Sequence, residues 1–304
     1  MFIVNHRKFF FILAAVLVAS AIASFAMFGF KHDILGIDFK GGSLTEVSYS
    51  SARPDLSIVK VNLDTLNLGN YILTPSGTSE FILKSRELSQ AEQSTVLSAF
   101  TTDPSNPATL QLSNTIGPSV GNEMESKAMY AIGMVILCIV LFITFAFRKV
   151  SQPVSSWKYG FATIVALAHD VLLPAGFYVA YIHFHGGEID LLFVTALLAI
   201  LGYSVHDTIV VFDRVREHLR INQSTKNKES FAETVGKSVS ETFGRSINTS
   251  LTIFLALLAL FLIGGQTTKD FALTLIVGII AGTYSSIYIA SPLLVTLEKM
   301  QKKS

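Results

Sequence analysis

Two acidic residues lie inside long apolar segments of this 304-residue sequence, where a carboxylate is expensive to place. Asp207 falls within the apolar stretch 191–212, and Asp170 falls within the stretch 159–181. A charged side chain at the centre of a bilayer costs at least about 2.5 to 3.5 kcal/mol, so both carboxylates are functional candidates. A carboxylate that alternates between a buried and a cation-lined environment captures and releases protons. This chemistry makes Asp207 and Asp170 candidate proton-coupling residues.

Two further residues belong to the same chemistry. Arg245 lies just before the fifth apolar stretch and is the candidate cation that tunes Asp207, while His206 is of a residue type that can titrate near neutral pH, and a proton role for it stays open. Each assignment has a structural alternative that the sequence leaves open. The structural alternative for Asp207 is a static hydrogen bond between helices, and that for Arg245 is an anchor at the cytoplasmic membrane surface. The alternative for Asp170 is a structural pair with His169.

Other chemistries find little support in the sequence. The serines lack a plausible histidine and acid partner, no Gly-Lys-Ser/Thr phosphate loop is present, and the lone Cys138 sits in an apolar stretch. The net charge of +1 gives no support for nucleic-acid binding. We therefore expect no enzymatic activity, no metal and no cofactor, with protons as the coupling ion. The short loop between the third and fourth stretches contains four potential metal ligands, although a polar turn is the favoured interpretation. These residues are His183, His185, Glu188 and Asp190.

The elements that must position these residues are membrane helices. Half of the residues are hydrophobic, only 15% are charged, and the mean hydropathy is +0.51. Six apolar stretches are long enough to cross about 30 Å of hydrocarbon. The first follows Arg7 and Lys8 like a signal peptide, but its length favours a retained helix. The stretches are 9–30, 128–147, 159–181, 191–212, 247–264 and 271–297.

Lysine and arginine are distributed unevenly between the two ends of these stretches. They occur at the N-terminus, between the second and third stretches, between the fourth and fifth, and in the tail, whereas the short connections at the opposite ends have only Lys269 and the long segment 31–127 has seven basic against eleven acidic residues. The positive-inside rule therefore predicts that both termini are cytoplasmic. The predicted organisation is a cytoplasmic N-terminus and first helix (1–30), an extracytoplasmic domain (31–127), a five-helix bundle (128–297) with a cytoplasmic loop (213–245), and a cytoplasmic tail (298–304).

The segment 31–127 has the periodicity of a small α/β domain. Thr45, Val47 and Tyr49 alternate as in a half-buried strand, while Asp55 and Ser89 are candidate N-caps of two helices. Apolar residues flank Pro75, Ser76 and Gly77, which predicts a hairpin turn. With a last strand at about 109–115, the element order βαββαβ predicts a ferredoxin-like domain between the first two membrane helices.

Several motifs resemble those of the SecD/SecF family of protein-export membrane subunits, and SecF in particular. The run 36–43, GIDFKGGS, resembles the D-F-x-G-G signature, and the run 202–208, GYSVHDT, resembles the fourth-helix motif. The family often has Asn where this sequence has His206. Further resemblance covers 116–121, His169 with Asp170, and the glycine-rich sixth helix. Motif positions carried by the resemblance are Asp38, Phe39, Gly41, Gly42, Gly202, Asp213 and Arg214.

The resemblance implies a polytopic α-helical membrane protein that forms an RND-type half-unit. It implies SecD as partner, SecYEG as the channel served, an exported unfolded polypeptide as cargo, and YajC as a further candidate partner in the bacterial inner membrane. It also places Asp207 and Arg245 at positions associated with proton passage. The expected function is coupling of the proton gradient to late steps of protein export, with the glycines at 36, 41, 42, 117 and 121 as hinges.

Two alternatives remain at this point. An RND-type exporter of small molecules or lipids predicts a roomy apolar pocket in or beside the α/β domain. A non-transporting membrane scaffold predicts that Asp207→Asn leaves activity intact. A separate prediction concerns the sixth helix, where small residues recur every four positions and allow another helix to approach closely. These residues are Gly278, Gly282, Ser286 and Ala290.

Overall fold

The computed structural model describes residues 1–29, 34–147, 154–226 and 229–301. Within these ranges, six helices are long and apolar enough to cross a membrane, as predicted. The predicted boundaries at Phe30 and Lys31, the end of the tail, and the basic residues Arg148, Lys149, Lys228, Lys302 and Lys303 lie outside the described residues. The helices are TM1 (Arg7–Gly29), TM2 (Pro118–Ala146), TM3 (Ser156–His185), TM4 (Leu191–Ser224), TM5 (Phe231–Ile263) and TM6 (Thr268–Gln301).

TM4 and TM5 are longer than their apolar stretches, which corrects the predicted loop 213–245. Both helices continue past the apolar region and form a helical hairpin that turns between Ser224 and Phe231. Glu241 on TM5 holds the hairpin together, because it accepts hydrogen bonds from Arg214 Nε at 2.6 Å and pairs with His218 Nε2 at 2.9 Å. Hydropathy alone ends TM4 too early and begins TM5 too late because the extensions are polar.

TM2 also begins earlier than predicted. Pro118 occupies the first turn, and the helix runs from there without interruption to Ala146. The last residues of the predicted segment 31–127 therefore belong to a membrane helix, and the α/β domain proper comprises residues 42–116.

The α/β domain lies between TM1 and TM2 and has the predicted ferredoxin-like topology. Its strands are β1 (Gly42–Ser48), β2 (Ile72–Ser76), β3 (Glu80–Ser85) and β4 (Thr109–Ile116). They form an antiparallel sheet in the order β2-β3-β1-β4. Two helices, Leu56–Asp64 and Gln90–Phe100, connect the strands and pack on one face. The buried core between them includes Val47, Val59, Leu63, Phe81, Leu83, Val96 and Phe100.

Local sequence signals account for much of this domain. Asp55 accepts a hydrogen bond from Ser57 N at 2.8 Å, and Ser89 forms a capping box with Glu92, so both predicted N-caps are confirmed. The predicted turn at 75–77 is misplaced by two residues. Pro75 and Ser76 belong to β2, and the reversal occurs at 77–79, where Gly77 has φ +56°. Proline is tolerated there because β2 is an edge strand.

The membrane bundle is built around TM3, TM4 and TM6, whose apolar windows are mostly buried, while TM2 and TM5 are more peripheral. TM6 packs closely on TM4 through glycines. A Cβ on Gly278 would lie 2.2 Å from Ile200 Cδ1, and one on Gly282 would lie 3.1 Å from Ser204 Cβ. Ala290, four residues beyond Ser286, is fully buried. Small residues thus bring TM6 against TM4 at the level of the membrane carboxylates.

Tight packing surrounds four of the five glycines expected to act as hinges, namely Gly36, Gly41, Gly42 and Gly121. A Cβ on Gly121 would lie 2.6 Å from Phe39 O, and one on Gly41, at φ +78°, would lie 2.9 Å from Pro118 Cα. A Cβ on Gly42 would meet Ser85 O at 2.6 Å. Glycine is required here because two backbones approach each other closely: Gly41 and Gly121 bring the start of TM2 against residues 39–41, and Gly42 packs on β3.

Candidate functional site

Asp207 lies in the middle of TM4 and is 7% exposed. Ser246 of TM5 donates a hydrogen bond to its Oδ1 at 2.5 Å, and Ser286 of TM6 donates to its Oδ2. The carboxylate therefore sits where three membrane helices meet.

Asp170 of TM3 is fully buried and lies beside the same helices. Its Oδ1 is 2.8 Å from Nδ1 of the neighbouring His169, and its Oδ2 accepts hydrogen bonds from Ser285 at 2.6 Å and from Ser204. Ser204 lies on TM4 and Ser285 on TM6. Asp170 therefore joins TM3, TM4 and TM6, much as Asp207 joins TM4, TM5 and TM6.

Adjacent hydroxyls of TM6 serve the two carboxylates. Ser285 donates to Asp170 and Ser286 donates to Asp207, at a point where TM6 leaves α-helical geometry for the π-helical turn Ser286–Ala290. A single π turn inside an α-helix is uncommon and is frequently found at functional sites. Ser291, just beyond it, returns a hydrogen bond to Ser286 O at 3.0 Å. Two neighbouring side chains at the start of this turn thus reach two different helices.

Arg245 and His206 are not brought into contact with these carboxylates. Both side chains are exposed, Arg245 on TM5 directly before Ser246 and His206 on TM4 directly before Asp207. Within the described ranges, no ion pair joins Arg245 to Asp207 or Asp170. The chain alone therefore holds Asp207 with hydroxyls and Asp170 with hydroxyls and His169, and Arg245 and His206 face away from the bundle core.

A second set of hydroxyls adjoins the Asp207 site. Tyr203 OH lies 2.7 Å from Ser250 Oγ, which lies 2.5 Å from Thr283 Oγ1 and donates to Ser246 O at 2.8 Å. Ser250 and Thr283 also line an apolar cavity of about 310 Å³ between TM5 and TM6. Polar groups therefore continue from the carboxylate to the wall of this cavity.

The loop that suggested a metal site has a different structure. Within the described residues, no group of three or more histidine, cysteine or acidic side chains is arranged to hold a metal ion. Glu188 is buried and pairs with Lys84 Nζ at 2.8 Å, while Asp190 caps TM4 by accepting from Phe193 N at 2.8 Å. Burial raises the pKa of Asp190, and the charge of the nearby Asp38 acts in the same direction.

The remaining motif residues lie at the start of TM4, on its polar extension and, for Gly202, within the helix. Asp38 Oδ2 accepts a hydrogen bond from Leu191 N at 2.9 Å at one end, and Phe39 is buried beside it. At the other end, Asp213 pairs with Arg216 and Arg214 pairs with Glu217 at 2.5 Å, on the exposed hairpin. Gly202 is exposed, and a Cβ there would meet nothing within 4 Å.

Sequence reasoning misses most of the hydroxyl donors. The motifs and apolar patterns do not mark Ser246 or Ser285, they include Ser204 only as a member of the run 202–208, and they mark Ser286 only as a packing residue. The sequence feature that could have identified these donors is their position along each helix. Serines on TM4, TM5 and TM6 lie at the same level in the membrane as the two aspartates. A buried carboxylate requires donors, so serines at matching depth are the residues to look for.

The chain is similar to known membrane proteins along nearly its whole length. Residues 97–300 match the family described as "Protein export membrane protein SecD/SecF, C-terminal". A protein translocase subunit SecF from Thermobaculum terrenum is 39% identical over 97% of this chain and 93% of its own length. The corresponding subunit from Anaerolinea thermophila is 35% identical over 97% of this chain and 94% of its own length.

A solved structure extends this similarity to three dimensions. The crystal structure of SecDF from Thermus thermophilus, a translocon-associated membrane protein, matches with a TM-score of 0.79 and 32% identity. The match covers 97% of this chain and 38% of that one. A SecDF structure in a super-membrane-facing form matches with a TM-score of 0.68 and 31% identity, over 98% and 39% of the two chains. The chain therefore corresponds to one part of a longer SecDF polypeptide.

Proposed function

This chain belongs to the SecD/SecF family of protein-export membrane proteins, and from that premise we propose that it couples proton movement through Asp207 to protein export. Its general role is that of a SecF-type protein translocase subunit, as in relatives matched over nearly their whole length. It is a multi-pass membrane protein that associates with SecD in the translocase.

The partners and the orientation are part of the proposal. SecYEG supplies the channel, an unfolded exported polypeptide is the cargo, and YajC is a further candidate partner in the bacterial inner membrane. The lysine and arginine distribution places both termini in the cytoplasm and the α/β domain outside. Exposed polar side chains near the depth of Asp207 support a face covered by SecD, because such groups are costly against lipid. They include His206, Arg245, Asn248 and Thr249.

Coupling requires a carboxylate whose surroundings change with conformation. Asp207 is held by one hydroxyl from TM5 and one from TM6, so a relative movement of these helices removes or restores donors to it. Neutralisation of Asp207 weakens those hydrogen bonds and favours separation of the helices, and ionisation favours their return. Arg245 lies one residue from Ser246, so rotation of TM5 brings the guanidinium toward the carboxylate. Protons are the coupling ion, and the chain needs no cofactor or catalytic centre of its own.

The free energy of the proton gradient is large enough to drive such a conformational change. A membrane potential supplies about 2.3 kcal/mol per charge per 100 mV. A shift of a two-state equilibrium by a few kcal/mol is enough to repopulate conformations. The observation that carries the proposal is the position of Asp207, an acidic side chain that is buried at membrane depth and bonded only to movable hydroxyls among the described residues.

Export into inside-out vesicles, whose lumen corresponds to the outside of the cell, tests the proposal. Vesicles that contain SecD, SecYEG and either the wild-type chain or Asp207→Asn are compared with and without a proton gradient. We expect the gradient to accelerate export in the wild type and to have little effect in Asp207→Asn at equal protein abundance. Glu125→Gln, which changes an exposed carboxylate on TM2, serves as the matched control.

Two results would contradict the proposal. Equal gradient dependence in wild type and Asp207→Asn would remove Asp207 from the mechanism. If export by Asp207→Asn also equals wild-type export at every size of gradient, the result would favour the scaffold alternative. The structural site offers no specific support for the small-molecule exporter.

A further inference from the structure

A buried carboxylate far along TM4 from Asp207 joins two parts of the chain. Glu188 lies in the loop between TM3 and TM4 and is 4% exposed. Lys84 Nζ, on β3, lies 2.8 Å from Glu188 Oε2, and Lys40 Nζ lies 3.7 Å from Oε1. A carboxylate removed from water is retained only where partners compensate its charge. The loop is therefore bound to the sheet of the α/β domain through Glu188.

The backbone makes a second connection at the same place. Gly36 N donates to Ile189 O at 2.7 Å, and Ile189 N donates to Ile34 O at 2.6 Å. Leu35 and Ile189 form a short parallel bridge. A Cβ on Gly36 would lie 3.1 Å from Ile189 O, so the two segments are in close contact. The residues that lead into the α/β domain thus pair with the loop that leads into TM4.

The first turn of TM4 supplies a third connection. Leu191, its first residue, donates its backbone N–H to Asp38 Oδ2 at 2.9 Å. A helix start has free N–H groups and a partial positive charge, so a carboxylate from another segment binds there favourably. Asp38 belongs to the short helix Ile37–Lys40, which directly precedes β1. The base of the α/β domain therefore caps the helix that carries Asp207.

We propose that the α/β domain, the loop 186–190 and the first turn of TM4 move as one body, and that Glu188 is the positioning residue that fixes the domain to TM4. TM4 is a single uninterrupted helix from Leu191 to Ser224, so a displacement at Asp207 reaches its first turn. The transport consequence rests on the proposed function, which places the moving carboxylate at Asp207. Movement of TM4 is then delivered to the α/β domain through Glu188 and Asp38.

A reversible covalent bridge tests this assignment in the full chain with its partners. Leu35→Cys and Ile189→Cys are combined in a Cys138→Ser background, because residues paired across a bridge are close enough for a disulfide. If these segments move as one body, oxidation leaves export at the level of the reduced protein. Loss of export on oxidation, with recovery on reduction, would overturn the proposal because the contact would then have to open during transport.

Removal of the ion pair provides a second arm. We expect Glu188→Gln to lower export roughly 5- to 150-fold at normalised abundance, the range of ordinary coupling free energies. In a chain that combines Glu188→Gln with the cysteine pair, oxidation should restore export, since the disulfide replaces the lost attachment. Unchanged export in Glu188→Gln, or no recovery on oxidation, would overturn the role of Glu188. The matched control is Glu123→Gln, which breaks an exposed pair with Lys127 and should leave export unchanged.

Hydrogen exchange separates a failure of this inference from a failure of the proposed function. The backbone amides of Gly36, Ile189 and Leu191 should exchange slowly in the wild type and faster in Glu188→Gln, independently of any proton gradient. If Asp207→Asn behaves as wild type while exchange and disulfide rescue follow expectation, only the proposed function fails. If the amides of wild type and Glu188→Gln exchange equally fast, the inference fails and the assignment of Asp207 is unaffected.

Discussion

Ser285 and Ser286 are neighbours in sequence, yet they donate hydrogen bonds to carboxylates on two different helices. Adjacent residues on a helix point about 100° apart, so TM6 can reach TM3 with one side chain and TM4 with the next. Any rotation of TM6 at this level therefore changes the surroundings of Asp170 and Asp207 together. This relationship makes TM6 a necessary participant in the site rather than only a packing partner of TM4.

The hydroxyl of Ser286 should be required for gradient-dependent export. A hydrogen bond to a charged group contributes about 1.5 to 3 kcal/mol, so we expect Ser286→Ala to lower export about tenfold or more. Ser286→Thr keeps the hydroxyl and should retain most of the activity. Ser20→Ala on TM1, where the exposed serine bonds only Leu17 O, is the control. Wild-type export in Ser286→Ala, measured in energised vesicles, would show that this donor is dispensable.

Asp170 should contribute more to stability than an exposed aspartate does. It accepts hydrogen bonds from two serines and contacts His169, so Asp170→Asn introduces an amide group among donors. We expect a loss of about 1 to 3 kcal/mol, the cost of leaving buried polar groups unpaired. Thermal unfolding of the purified protein in detergent measures this effect, with the exposed Asp103→Asn as reference. Equal midpoints for the two variants would argue against a structural contribution of Asp170.

Arg245 should matter for transport but not for folding of this chain. Its side chain is exposed, and surface substitutions away from special features usually change stability by no more than about 0.5 kcal/mol. We expect Arg245→Ala to unfold like the wild type while export loses its response to the gradient. Arg245→Lys should recover part of that response. A large drop in the unfolding midpoint of Arg245→Ala would show that the residue is instead a structural element.

Close approach of TM6 to TM4 should make Gly278 intolerant of a side chain. The added methyl of Gly278→Ala would lie 2.2 Å from Ile200, and overpacking of this kind costs about 1 to 3 kcal/mol. Gly133→Ala on TM2 is the matched control, because a Cβ there meets nothing within 4 Å and alanine favours a helix. Unfolding in detergent should show opposite shifts for the two variants, and Ile200→Ala should partly rescue Gly278→Ala.

The capping box at Ser89 predicts a specific acid dependence. A hydrogen bond from Arg86, followed by those from Ser89, lowers the pKa of Glu92 from its ordinary value near 4.5 to about 2. Its stabilising effect is therefore fully present above pH 4.5 and is lost as the pH falls toward 2. Exchange protection at the start of the helix Gln90–Phe100, corrected for intrinsic rates, should fall over this interval. Glu92→Gln should show no such fall.

The parts of the fold that depend on local chemistry could be predicted from the sequence. The caps at Asp55 and Ser89 each need one side chain and a nearby backbone N–H, and the six membrane helices need only length and apolarity. The extensions of TM4 and TM5 could not be found this way. They are stabilised by contacts of Glu241 with Arg214 and His218 on the facing helix, which hydropathy does not register.

The candidate site is likewise only partly predictable from the sequence. Aspartates in apolar segments stand out because their cost in lipid is large, which makes Asp170 and Asp207 recognisable from the sequence. Serines are common in membrane helices and serve as packing residues, so their type alone does not mark Ser204, Ser246 or Ser285. The π-helical turn at Ser286–Ala290 has no sequence signature comparable to a proline, so this backbone irregularity beside the two aspartates could not be predicted.

The pairing of Gly42 with Ile116 has a consequence for engineering. Because β1 begins where β4 ends, both chain connections of the α/β domain emerge side by side, about 5 Å apart. The domain is thus connected to the membrane helices at one end of its sheet. Lys84 on the neighbouring strand also forms an ion pair with Glu188 in the loop that precedes TM4. A foreign domain grafted onto this scaffold would need strand termini with the same spacing and a cation at the position of Lys84 to keep the pairing with Glu188.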